Sequence, residues 1–124
     1  MTNPAPSTPR EAILMFHYAD RMKSELLIAS QMLNAVLGLR EAEQFGGRKV
    51  LVEYFRALER EAALGQALIA DPELVRVRTV MTGLTGMADS GPLNQIQEHL
   101  TWVISIMTTY AQRAMKYLLD QKLL

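Results

Sequence analysis

Apolar side chains recur at Met15, Ala19, Met22, Leu26, Ala29, Leu33 and Val36, in alternating steps of four and three residues. That spacing lays one continuous stripe along a helix. Thr8-Pro9-Arg10-Glu11 supplies its start: a threonine N-cap, proline at the first helical position, and a glutamate placed to reach back. The pair of glycines in "FGG" at 45–47 is the first strong stop signal, since glycine tolerates the left-handed C-cap conformation. The pattern therefore predicts a helix over 9–44.

A second helix fits 48–70, with Leu51, Phe55, Leu58, Ala62, Gly65 and Ile69 on one side. Asp71-Pro72 repeats the cap-plus-proline signature and opens a third helix over 72–88. Within it "LVRVRTVM" alternates as a strand would, and Gly83 and Gly86 each weaken a helix by about 1 kcal/mol relative to alanine. A lone strand would have no partner in this chain, so helix is the reading. "DSGP" at 89–92 forms a turn before a fourth helix over 92–122. Residues 1–8, rich in proline, read as a flexible tail. The whole is an all-α, antiparallel four-helix bundle forming a single domain over 9–124.

The fourth helix carries the most unusual pattern. "HLTWVISIMTTYAQ", at 99–112, runs fourteen residues without a formal charge. Its core stripe is Leu93, Ile96, Leu100, Val103, Met107, Tyr110 and Ala114, widened by Ile104, Ala111 and Leu118. At about 100° per residue, Trp102 and Ile106 fall on a second face, flanked by His99, Thr109, Arg113 and Tyr117. Three explanations compete: a membrane span, a helix covered on nearly all sides by its neighbours, or a face lent to a partner. A span needs roughly 20 apolar residues, and this run is shorter and holds Thr101, Ser105, Thr108 and Thr109. A tryptophan anchor with aliphatic support and a polar rim has the composition of an interaction hot spot. Leu27 and Ile28 likewise fall outside the main stripe of the first helix. The expected interface is thus Trp102, Ile106, His99, Thr109 and Arg113 with Leu27 and Ile28, used most simply for homo-oligomerisation.

Charge narrows the possible partners. Thirteen basic residues balance thirteen acidic ones, and the balance holds segment by segment, so no basic face for nucleic acid is expected. The absence of cysteine excludes disulfides, thiolate metal sites and a cysteine nucleophile. "MTNPAPSTPR" lacks the apolar core of a secretory signal, and a cytoplasmic location is expected.

Catalytic constellations are weak. His17, Asp20 and Ser24 share the outer face of the first helix, but a serine on a regular helix has no preformed oxyanion donors. A di-iron bundle needs Glu-x-x-His pairs, and Leu14 and Ile96 stand where His17 and His99 would require glutamate. Glu53, Glu59 and Glu61 do not share one face, and Arg56 and Arg60 offer them salt bridges. "GLTG" at 83–86 lacks the strand and lysine of a phosphate loop. Arg76 and Arg78 lie roughly 200° apart on a helix and cannot clamp one phosphate together. Arg48-Lys49 is too small a cluster to suggest nucleic acid. No metal or cofactor is expected, and the reading leans away from an enzyme.

Seven internal methionines, at 15, 22, 32, 81, 87, 107 and 115, fit the adaptable filling of a core, and Met32 and Met115 at its edge would also suit a helix-binding groove. "TPREAILMF" at 8–16 resembles the opening of the first helix in flagellin-export chaperones, small helical bundles that hold an unassembled subunit. That resemblance implies a chaperone or adaptor as the alternative to self-assembly. A bundle housing a small molecule, with His99, Tyr110 or Tyr117 as polar handles, is the third reading.

Overall fold

The computed structural model of the chain describes residues 6–124. It contains α1 (Pro9–Leu37), α2 (Glu41–Leu68), α3 (Pro72–Ser90) and α4 (Ile96–Asp120), the last preceded by a single 3-10 turn at Leu93–Gln95. There is no strand among the described residues, and 72–90 is helical throughout. Connections of three to five residues make successive helices antiparallel. Contacts between α1 and α4 close the ring, giving an antiparallel four-helix bundle in which α3 and α4 pack least extensively.

The predicted stripes form the core. Met15, Ala19, Met22, Leu26, Ala29, Leu33 and Val36 are buried on α1, and Leu51, Phe55, Leu58 and Ala62 on α2. Leu74, Val77, Met81, Leu84 and Ala88 are buried on α3, and Ile96, Leu100, Val103, Met107, Tyr110 and Ala114 on α4. Small residues let the helices approach closely. At Gly65 an added Cβ would fall on the Tyr18 ring, so glycine is what admits that tyrosine between α1 and α2.

The boundary between the first two helices differs from expectation. Helix α1 ends at Leu37 rather than at 44, and Phe45, Gly46 and Gly47 lie inside α2. The turn is Gly38-Leu39-Arg40, closed by the Gly38 and Leu39 N–H groups donating to the Asn34 and Val36 carbonyls. Glu41 and Glu43 then favour a helix start through the macrodipole, and the Glu43 carboxylate accepts from the Arg40 N–H at 3.3 Å. Gly47 marks close approach rather than a stop. A Cβ there would sit 2.9 Å from Leu39 Cδ1 and 3.3 Å from Val36 Cγ2.

The other caps follow the sequence. Thr8 Oγ1 accepts from the Glu11 N–H at 3.1 Å, but the Glu11 carboxylate reaches one residue further back than expected, to the N–H and hydroxyl of Ser7 at 2.8 and 2.5 Å. Of the tail expected over 1–8, residues 1–5 lie outside the described residues. Pro6 is buried, and the Ser7 carbonyl accepts from the Tyr117 hydroxyl at 3.2 Å.

Candidate interaction surface

The neutral run of α4 is covered on two sides. Of residues 99–112 only Thr101, Ser105 and Gln112 are exposed. The threonine hydroxyls of 101, 108 and 109 donate to the carbonyls of Gln97, Ile104 and Ser105 at 2.9, 2.9 and 3.1 Å. Back-bonding of this kind hides their polarity inside the helix. No helix among the described residues is long and apolar enough to cross a membrane.

Trp102 and Ile106 are half-buried and pack against the core at the seam between α3 and α4. The Arg76 guanidinium lies over the indole, 5.3 Å from the ring centroid, within range of a cation–π attraction. Glu73 holds that guanidinium at 3.0 and 3.3 Å. His99, Thr109 and Arg113 continue the same α4 face and are also half-buried. The face expected to stand free is therefore partly closed by α3.

Leu27 and Ile28 belong elsewhere. Both are about half-exposed, at 47% and 46%, but they point about 100° apart on α1. Leu27 stands between Lys23 and Ser30, and the Ser30 hydroxyl donates to the Gln97 amide oxygen of α4 at 2.7 Å. Ile28 turns toward α2, following Arg21 and Glu25, where Arg21 bridges Glu25 and Glu61 at 3.3 and 3.0 Å. The seven expected interface residues thus divide among three sides of the bundle.

A surface that the sequence did not single out lies between α1 and α4. It is a groove of about 510 Å³ whose apolar floor is Phe16, Ala111, Met115 and Leu119. Asp20 and Lys23 form the α1 rim, and Lys116 and Asp120, paired at 2.6 Å, form the α4 rim. Leu27, four residues beyond Lys23, extends the α1 side by one turn. The legible signals were Met115 at the edge of the core and Phe16 outside the α1 stripe, in step with 20, 23 and 27.

The candidate chemistry remains dispersed. His17, Asp20 and Ser24 are all exposed, and no group of metal-binding side chains comes together among the described residues. Glu53, Glu59 and Glu61 are engaged by Arg56, Thr85 and Arg21 respectively. Of the suggested ligand handles, the Tyr110 hydroxyl donates to Asp71 and that of Tyr117 to the Ser7 carbonyl. Arg48, rather than joining a basic patch, donates to the carbonyls of Met87, Ala88 and Gly91 at 3.2, 3.2 and 3.0 Å, and so caps the C-terminal end of α3. Compared with protein-family models, curated proteins and solved structures, the chain matches none.

Proposed function

We propose that the protein is a non-catalytic assembly module of the cytoplasm that self-associates through the α1–α4 groove. The observation that carries this reading is a groove with an apolar floor and both signs of charge on each rim: Asp20 and Lys23 on one side, Lys116 and Asp120 on the other. Two identical surfaces of a single sign would repel, whereas here an acid on either rim can find a base on the second copy. A two-fold arrangement then forms each such pair twice. The floor residues supply the apolar contact, and Leu119, 55% exposed, gains most by being covered. The interaction face stays on the last helix but moves from Trp102 and Ile106 toward Met115 and Leu119, with Leu27 retained.

Sedimentation equilibrium or native mass spectrometry tests it. The wild type should appear as a multiple of 13.9 kDa, and Leu119→Glu should give a helical monomer. Trp102→Glu should leave association intact while lowering stability. A monomeric wild type at high protein concentration would sink self-association. The second reading, a chaperone or adaptor groove for another protein's helix, is favoured by the flexible Met115 beside Phe16 in the floor. It predicts a monomer that binds an amphipathic helix, with binding lost in Leu119→Glu.

A further inference from the structure

Between α2 and α3 the bundle surface opens into a cleft of about 390 Å³ lined by Arg56, Glu59, Arg60, Ala63, Arg78 and Thr82. We infer that this cleft binds a tetrahedral oxydianion, a phosphate monoester or free phosphate, through the guanidinium groups of Arg56, Arg60 and Arg78. The inference is independent of the self-association reading, whose groove lies between α1 and α4.

Three observations carry it. The first is concentration of charge: in a chain with no net charge, three of its thirteen basic side chains line one cleft with a single carboxylate. That carboxylate, Glu59, is engaged by the Thr85 hydroxyl. The second is the placing of Arg56 and Arg60 one turn apart on the same face of α2. Like charges at this spacing repel and destabilise the helix, and a bound anion removes that repulsion. The third is unused donor capacity. Among the described residues Arg60 has no ion-pair partner and Arg78 meets only the neutral Gln66 amide oxygen, while Arg56 spends one nitrogen on Glu53 at 2.7 Å. The Arg56–Glu53 pair is solvent-exposed and therefore readily exchanged.

The donor set selects the ligand. A guanidinium fork engages two oxygens at once, so a carboxylate is satisfied by one arginine. Three forks arriving from two helices need the additional oxygens and the second charge of a phosphoryl group. The Thr82 hydroxyl donates to the Arg78 carbonyl at 3.1 Å, which leaves recognition to the arginines. The cleft is larger than one phosphate, and the Ala63 methyl offers a wall for an organic residue.

The test is an NMR titration of the full chain with inorganic phosphate and with phenyl phosphate, at ionic strength held constant with chloride, following arginine side-chain N–H resonances. Saturable shifts confined to Arg56, Arg60 and Arg78 are expected. Arg60→Ala and Arg78→Ala should each weaken binding roughly tenfold or more, whereas Arg40→Ala at the α1–α2 turn should not. Both substitutions lie on exposed helix surface, and unchanged helicity will show that the fold is retained. Tighter binding of phenyl phosphate would support a monoester as the source; equal binding would support free phosphate. Shifts that grow without saturation, that involve all arginines alike, or that survive both substitutions would overturn the proposal.

Discussion

The Tyr110 hydroxyl on α4 donates a 2.6 Å hydrogen bond to one oxygen of Asp71, whose other oxygen accepts the Glu73 N–H at 3.1 Å and caps α3. A single carboxylate thus starts one helix and fastens it to the next. Asp71→Ala removes the cap, worth about 1 kcal/mol, and leaves a buried phenol without its acceptor, a further 1–3 kcal/mol or so. Tyr110→Phe should cost less than Asp71→Ala. Urea unfolding of the two single variants and the double should give a coupling energy well above about 0.5 kcal/mol; additivity would mean that the hydrogen bond contributes nothing.

Arg48 performs the corresponding task at the other end of α3. Its guanidinium donates to three carbonyls of the last turn and the residue that follows it, satisfying acceptors that a helix end leaves open. Arg48→Ala should destabilise the fold by roughly 1.5–3 kcal/mol. Arg48→Lys should recover only part of that loss, because an ammonium lacks the planar fork. Hydrogen exchange at residues 87–91 would show the effect locally.

Tyr18 and Gly65 interlock. Gly65→Ala forces the added methyl into the phenol ring and should destabilise by about 1–3 kcal/mol. Tyr18→Phe should act in the opposite direction. Among the described residues the buried Tyr18 hydroxyl has no hydrogen-bond partner, so its removal should raise stability by about 1 kcal/mol. A lower melting temperature in Tyr18→Phe would show that the hydroxyl has an acceptor after all.

Alkaline pH should unfold the protein through its tyrosines. Burial pushes up the phenols of Tyr18, Tyr54 and Tyr110, aided by the Glu61 and Glu25 charges at Tyr18, by Glu25 at Tyr54 and by the Asp71 hydrogen bond at Tyr110. In the unfolded chain they ionise near their ordinary 10.0, in the folded chain only above it. Above that pH the unfolded state binds fewer protons, so stability that is full below it falls as pH rises. Phenolate absorbance from these residues should appear together with loss of helicity, and Tyr110→Phe should flatten the dependence. Glu11 acts at the acid end. The Ser7 hydroxyl and N–H hold its carboxyl below the usual range, so the first turn of α1 loosens as pH falls through that value.

Legibility in the sequence followed the range of the interaction. Stripes and caps are local, so Thr8, Asp71 and the repeating positions of the α1 and α4 stripes could be read from spacing, whereas the buried Ala12 and Tyr18 of α1 were not singled out by it. The α1–α2 turn could not, because Gly47 is demanded by Val36 and Leu39 across the hairpin, not by its own backbone conformation. The same glycine signal therefore means a stop in one context and close packing in another. Trp102 could be assigned to the second face of α4, but whether α3 covers that face depends on Arg76 lying over the indole, a contact between helices. Arg78 could be separated from Arg76 by helical angle alone. Its meeting with Arg56 and Arg60 required the pairing of α2 with α3. The α1–α4 groove was half legible, through Met115 and Phe16, because a groove belongs to two helices and each contributes only one wall.

The chain has one tryptophan, and the fold sets it at the most sparsely packed junction of the bundle, beneath a guanidinium. Trp102 emission is therefore a gauge of whether α3 rests on α4, while circular dichroism records whether the helices exist at all. An unfolding transition that opens the α3–α4 seam before the helices melt will be seen by the first signal ahead of the second. The molecule thus carries its own label for the step at which it would come apart.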